Sequence, residues 1–397
     1  MHTNTIRLSA RKDRRVRSGH PWIFSNEIEE NVGSLEPGGI VTVTTATGRF
    51  IGRGYANPNA LIAVRLLSRN RSDDITTPEF YARRFRQALA YREGMYPDRR
   101  SCRVFHAESD GVPGLIIDRY NDVLAVQLNT LGLETHKEII GQAIQEVFSP
   151  QAIILHNDTR ERALEGLEQE RTIWFGDLPQ TIDIDEFGVG FRVQPMTGLH
   201  AGHYFDQTDN IIHGASLCTG KRVMDLYANS GAFGLHALAA GATEVVFVDK
   251  QEPCCIEIET NLSINGFEDR ATILCDEGKR TVEALLIQGT RFDVVHLDPP
   301  PFAKSRKTVT SALRGYTELN RLCMQLVKPG GHLLTSSRSV HIQEDRYIEC
   351  LQKAAETAGR QLRMAYRGAQ SADHPVLPAV PETRHLKQYA FQVIPCW

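Results

Sequence analysis

Four carboxylates stand at the ends of four apolar runs in the second half of the chain. VMDLYA (223–228) carries Asp225 and Tyr227 and runs into Asn229, Ser230 and Gly231. EVVFVDK (244–250) closes on Asp249 and Lys250, ATILCD (271–276) on Asp276, and FDVVHLD (292–298) on Asp298. Short apolar runs of this kind read as buried strands. In an open parallel sheet, ligands bind beyond the carboxyl ends of the strands. An acid at the end of the second strand, such as Asp249, is placed to accept both hydroxyls of a ribose. Asp276 is placed to reach an adenine amine. Gly231 lets the first turn bend tightly against a ligand. The turn ANSGAFG lacks the second glycine of GxGxxG, which argues against a dinucleotide. Four ordered acids after a small-residue turn point instead to S-adenosylmethionine.

The elements that must carry these acids alternate. AFGLHALAA (232–240), PCCIEIETNLSIN (253–265) and YTELNRLCMQLV (316–327) read as helices, and HLLTSS (332–337) as a further strand. This alternation predicts a parallel sheet covered on both faces, a Rossmann-like domain spanning 195–397. The 397 residues exceed one ordinary domain. Residues 1–70 hold short strands, IVTVTT (40–45), RFIGRGYA (49–56) and LIAVRLL (61–67), and predict a small β-barrel. The polar stretch 68–78 reads as a linker. Residues 79–190 combine a helix at 79–96, a hairpin at 114–128, a helix at 134–148 and a strand at 152–157, a small α+β domain. The fold class is therefore multidomain α/β.

Hydrophobic residues make up 41% and charged residues 23%, the balance of a soluble globular chain. No run approaches a membrane helix and no secretory signal opens the chain, so a cytoplasmic protein is expected. Eight cysteines without a CxxC pair predict reduced, mostly buried thiols and no metal site. The net charge is only −3, but basic residues cluster at 7–17 and again at Arg83, Arg84, Arg86, Arg92, Arg99 and Arg100. Such patches grip phosphates, or else form a solvated face.

The motifs SGHPWIFSNEI (18–28), ESDGVPGLIIDRY (108–120), GHYFDQ (202–207), LYANSGAFG (226–234), LDPPPFAKS (297–305), GYTELN (315–320) and ADHPVLPAVPET (372–383) span nearly the whole chain. Together they resemble the large-subunit (23S) rRNA cytosine-5 methyltransferases, the YccW-like group with an N-terminal PUA domain. The resemblance implies a class I methyltransferase domain, S-adenosylmethionine as cofactor and RNA as partner, bound in part by the PUA-like barrel. It further implies that Tyr204, Phe205 and Gln207 contact the cofactor. Asp225, Tyr227, Asn229 and Gly231 match the family's first cofactor loop, which also holds Ser230. Asp298 matches the acid of the DPPxF motif beside the target base. Pro300 belongs to that motif, and Phe302 is a stacking surface for a flipped base. A homodimer is compatible with the sequence.

One position departs from the family. Cytosine C5 is not nucleophilic, and a thiolate must add to C6 before a methyl can be transferred. The family carries that cysteine after the fifth strand; here the run is Thr335–Ser336–Ser337–Arg338–Ser339, with Arg338 in its place. A guanidinium cannot make that addition. Three readings stay open: transfer to a nitrogen or oxygen, an inactive RNA-binding assembly factor, or a cysteine brought in from elsewhere. Arg338 itself reads as a contact to RNA phosphate or base, or as a local ion pair with Glu344 or Asp345.

Overall fold

The computed structural model describes residues 4–197, 202–303 and 305–396. Two compact units form: one from residues up to 184 with 193–197 and 372–383, the other from 185–192, 202–371 and 384–396.

The first unit opens with β1 (Asn4–Arg7), α1 (Arg14–Arg17), β2 (Trp22–Phe24), β3 (Ile40–Thr44), β4 (Phe50–Ala56) and β5 (Ile62–Ser68). Their sheet has the order β1-β3-β4-β5-β2, with β1 parallel to β3 and the remaining pairs antiparallel. Helix α2 (Pro78–Met95) begins at Thr77 with proline in its first turn, where the missing N–H is harmless. Its buried stripe is Phe80, Tyr81, Phe85, Ala88 and Arg92. Then follow β6 (Cys102–His106), β7 (Leu115–Tyr120), β8 (Val123–Leu128), α3 (Leu131–Thr135), α4 (Lys137–Phe148), β9 (Ala152–His156), α5 (Arg160–Leu164) and β10 (Arg171–Gly176). These strands make a second sheet, β10-β9-β8-β7-β6.

The polar stretch after β5 is not a free linker. Ser68 and Asn70 hydrogen-bond Asp73, and the barrel side and the α+β side share one core in which Tyr55 and Leu67 join Phe85, Phe105 and Leu115. Tyr55 donates its hydroxyl to the Pro113 carbonyl at 2.6 Å, and Arg65 pairs with Glu165 at 2.6 Å. The segment ADHPVLPAVPET also belongs to this unit. Asp373 accepts the Arg103 N–H at 3.0 Å and lies 3.6 Å from Arg99.

A hairpin, β11 (Ile182–Glu186) and β12 (Val189–Val193), leads into the second unit. It holds α6 (Thr208–Ala215), β13 (Arg222–Leu226), α7 (Ala232–Ala239), β14 (Glu244–Asp249), α8 (Glu252–Asn265), β15 (Ala271–Cys275), α9 (Gly278–Ile287), β16 (Phe292–Leu297), α10 (Val309–Leu326), β17 (Val327–Ser337), α11 (Glu344–Ala358), β18 (Arg360–Gly368) and β19 (Lys387–Pro395). The seven-stranded sheet runs β15-β14-β13-β16-β17-β19-β18. Strands β13 to β17 are parallel, and the inner strands β13, β14 and β16 have continuous buried centres such as Val245–Val248 and Val294–Leu297, while β15 at the edge is half-exposed. The sheet is not wholly parallel, because β19 runs antiparallel to both β17 and β18. The order reverses at β13, so the crevice expected to take a ligand lies past the carboxyl ends of β13, β14 and β16. No helix of the described residues is long and apolar enough to cross a membrane.

Candidate active site

Asp225 lies inside β13 and is 1% exposed. Its Oδ2 accepts the Gly234 N–H at 3.0 Å, and its Oδ1 lies 2.8 Å from His296 Nδ1 on β16. Both oxygens thus meet protein donors, which fixes the first turn of α7 against the sheet. Gly234 is where α7 comes closest: a Cβ there would sit 2.1 Å from the Phe247 ring.

The turn between β13 and α7 is strained. Tyr227 and Asn229 have φ of 65° and 52°, values that side chains bearing a Cβ rarely adopt, and Gly231 has 81°. Hydrogen bonds hold the turn in place. Tyr227 and Ala228 donate to the Val248 carbonyl at 2.9 and 3.1 Å, and Asn229 donates to Asp249 Oδ2 at 3.1 Å. Ser230 is buried, and its carbonyl accepts from Asn261. Strain of this kind concentrates at ligand clamps. Asp249 is 7% exposed, and its Oδ1 accepts the Gln251 N–H at 3.0 Å. A carboxylate has about four acceptor positions, so two remain after these bonds. Lys250 is exposed. Asp276 ends its strand half-exposed, beside Arg280, whose hydrogen bond holds it below the usual carboxylate range.

Beyond β16 and β17 the polar groups form a chain. Arg338 Nη1 pairs with Asp298 Oδ2 at 2.9 Å, while its Nε and Nη2 each reach Asp206 at 3.1 Å. Its guanidinium lies 4.6 Å from the Tyr204 ring centre. The Ser336 hydroxyl donates to Asp298, and His385 Nε2 lies 3.0 Å from Asp206. Burial pulls Arg338 down, but Asp206 and Asp298 outweigh it and hold the guanidinium above its ordinary value.

The local ion pair expected for Arg338 is therefore not what forms. Glu344 is occupied by Tyr389, Arg367 and Arg384, while Arg338 sits past the end of β17, beside the end of β16. Phe302 packs on Tyr316 at 4.5 Å between centroids, and its N–H lies 3.5 Å from that hydroxyl, so its ring is partly used in packing. Pro300 is exposed. Phe205 is 3% exposed and its ring lies 5.0 Å from His203, a core position. Gln207 is 2% exposed; its Oε1 accepts from Asn210, and its Nε2 is a buried donor with no partner among the described residues. Sequence reasoning passed over Asp206, His296 and Ser336, although they lie inside GHYFDQ, FDVVHLD and HLLTSS, and over His385, which carries no local motif.

The thiols stand apart from this chain. Cys254 contacts Asn229 and Cys255 the Asp249 carbonyl, each at 3.6 Å, and burial pushes both up to about 12. Cys323 is wholly buried, and Cys350 meets Thr317 and the Leu313 carbonyl. Only Cys275 and Cys396 are exposed. Native protein is expected to react with two equivalents of Ellman's reagent, rising to eight on unfolding. A third fast-reacting thiol in the native protein would contradict this burial pattern.

The sheet order, the strained turn and the acids past β13 to β16 define the Rossmann-like methyltransferase fold. A PUA-like domain family matches residues 6–69, and the family described as conserved hypothetical protein 95 matches 193–359. The chain is 36% identical over 390 residues to "Ribosomal RNA large subunit methyltransferase I" of Shewanella denitrificans, covering 96% of this chain and 97% of the relative. The protein of the same name from Aliivibrio fischeri is 34% identical and covers 99% and 100%. The chain belongs to this ribosomal RNA large subunit methyltransferase I family. Among solved structures, SMU.776 complexed with SAH aligns over 99% of this chain and 100% of its own, with TM-score 0.84 and 16% identity. A SAM-dependent methyltransferase from Agrobacterium tumefaciens aligns over 74% and 90%, with TM-score 0.52 and 17% identity.

Proposed function

We propose that the protein methylates RNA of the large ribosomal subunit, with S-adenosylmethionine as donor, at a nitrogen or oxygen rather than at cytosine C5. The residues present fit that cofactor. Asp249 keeps acceptor positions free for the ribose hydroxyls, Asp276 stands where adenine would lie, and the orphaned Gln207 Nε2 is a buried donor awaiting an acceptor. Tyr204, Tyr227, Asn229 and Gly231 line the same approach; Asp225 and Phe205 support it from beneath. When bound, the cofactor supplies an electrophilic methyl group.

The observation that carries the acceptor assignment is Arg338, standing where C5 chemistry needs a thiolate and bonded to both Asp206 and Asp298. A nitrogen or oxygen attacks with its own lone pair and needs no covalent adduct. Asp298, steadied by Ser336 and Arg338, accepts a hydrogen bond from the acceptor's N–H or O–H and aims that lone pair. Pro300 and Phe302 shape the wall beside it. The first unit, with its PUA-like and α+β parts, holds folded RNA while the second unit carries the chemistry. Action on ribosomal RNA implies a cytoplasmic protein.

The test is incubation of the purified protein with isotopically labelled S-adenosylmethionine and large-subunit rRNA lacking its modifications, followed by nucleoside mass spectrometry. One labelled nucleoside other than 5-methylcytosine is expected. Labelled 5-methylcytosine would overturn the acceptor assignment, and no incorporation would leave an RNA-binding assembly factor as the better reading.

A further inference from the structure

The arginines that cluster in sequence are mostly spoken for in the first unit. Arg7 pairs with Glu30, Arg15 with Glu27 and Arg17 with Asp13. In the second cluster Arg83 pairs with Asp73, Arg86 with Glu146, Arg92 with Asp110 and Arg100 with Asp122, and Arg99 lies against Asp373. Among the arginines with no carboxylate partner in the described residues, which include Arg11 and Arg14 of the first cluster, two, Arg84 and Arg69, line adjoining hollows. Arg84 is half-buried, with Nε on the Gly111 carbonyl at 3.2 Å, Nη2 on the Leu67 carbonyl at 2.6 Å, and its guanidinium 3.9 Å from the Phe80 ring centre. Arg69 is exposed and donates to the His20 carbonyl at 3.2 Å. Burial pulls Arg84 below its ordinary value, more than Asp73 raises it, as expected for a charge whose partners are neutral carbonyls.

Both arginines line one groove. Two adjoining hollows of about 580 and 230 Å³ share Arg84, Glu108, Gly111 and Leu377. The larger continues to Tyr91, which is 41% exposed, and the smaller to Arg69. The buried guanidinium of Arg92 lies 5.3 Å from the Tyr91 ring centre. The acids of the groove are engaged: Glu108 accepts the Trp22 indole N–H at 2.8 Å, and Asp110 binds Arg92 through both oxygens at 2.7 Å. Gln87 and Ser109 add polar edges, and Pro375 and Leu377 an apolar wall.

We propose that this groove takes one unstacked nucleotide of single-stranded RNA, its phosphate on Arg69 and Arg84 and its base against Tyr91. The size suits a nucleotide, since small-ligand pockets run from about 300 to 1,000 Å³. An aromatic ring in one hollow, with Arg84 shared by both hollows and Arg69 in the next, provides a face to stack a base and cations to hold its phosphate. A base within a duplex offers no open face to such a ring. Against an acidic peptide, the groove offers only two unpaired cations and carries Glu108 as well, too little charge for a run of carboxylates. The proposal rests on the RNA-directed reading of the protein, and it adds a contact remote in sequence from Asp298.

The test uses the full chain and a fluorescein-labelled mixed-sequence 10-nucleotide RNA, read by anisotropy. Tyr91→Ala is expected to weaken binding roughly ten-fold, with Tyr91→Phe close to the parent. Arg69→Gln is expected to flatten the dependence of log K on log salt by about 0.7, one phosphate on a single strand. The proposal is overturned if Tyr91→Ala and Arg69→Gln both bind within two-fold of the parent at every salt concentration, or if deca-glutamate displaces the RNA equally well. Both positions are exposed, and circular dichroism checks that both variants fold. If labelled methyl never reaches rRNA but Tyr91→Ala still loses the oligonucleotide, the methyl-transfer reading fails and the groove stands. If transfer occurs while the variants bind normally, the groove fails alone.

Discussion

An Asp249→Ala chain is expected to bind S-adenosylhomocysteine about 100-fold more weakly than the parent in calorimetry. The size follows from what the carboxylate does. It accepts the Asn229 and Gln251 N–H groups, so it shapes the strained turn as well as taking the proposed ribose contact. Hydrogen bonds to a charged partner contribute about 1.5–3 kcal/mol each. Losing two ribose hydroxyls at the lower figure is about 3 kcal/mol, and every 1.4 kcal/mol is a factor of ten. Releasing Asn229 from its φ of 52° adds to the loss, because the turn must be re-formed on binding. Asp276→Ala is the comparison. That carboxylate already shares itself with Arg280 at a solvent-facing strand end, so a loss of less than ten-fold is expected. Equal affinities for the Asp249→Ala chain and the parent would remove Asp249 from the cofactor site and with it the reading of the second strand end.

Asp249 was legible because its surroundings repeat a pattern of sequence: a buried apolar run, an acid, then a helix. The same holds for β13 and β16, whose buried centres leave no room for another reading, whereas β15, at the sheet edge, is half-exposed along its length. Strands β18 and β19 were not legible. RQLRMAYRG is half-exposed along its length, and KQYAFQVIP opens on polar residues, so neither shows a clean period. The segment 372–383 was visible as a motif but not as part of the first unit, since Asp373 meets Arg99 and Arg103 some 270 residues earlier. The pairing of the basic clusters was hidden for the same reason. Spacing shows where arginines are dense, while the free charge depends on carboxylates brought in by the fold, and Arg69 lies outside either cluster. That Arg338 stands where the resemblance implies a thiol needed no structure. Its partner did: sequence offers neighbours such as Glu344, six residues on, whereas Asp206 lies 132 residues away.

That partnership makes Arg338→Met the most damaging single change expected in the second unit. Asp206 and Asp298 are 9% and 12% exposed at their side chains, and Arg338 is the cation between them. Removing one partner of a largely buried ion pair leaves uncompensated charge, at about 3–5 kcal/mol. For a unit of this size that lowers the thermal midpoint by about 10 °C. His385 touches Asp206 from another side but does not reach Asp298 in the bonds observed, so it relieves one carboxylate only. Methyl transfer is expected to fall more than 100-fold, since Asp298 would keep Ser336 alone to hold it and a misplaced acceptor loses about that much. Binding of S-adenosylhomocysteine, proposed to depend on Asp249, is expected to change by less than three-fold in the folded fraction. Arg338→Lys separates charge from shape. An ammonium restores a positive charge but lacks the planar fork that spans two carboxylates, so most of the stability should return while transfer stays at least ten-fold down. If Arg338→Lys transfers methyl groups at the parental rate, the fork is unimportant, and Arg338 serves the fold rather than the placement of the acceptor.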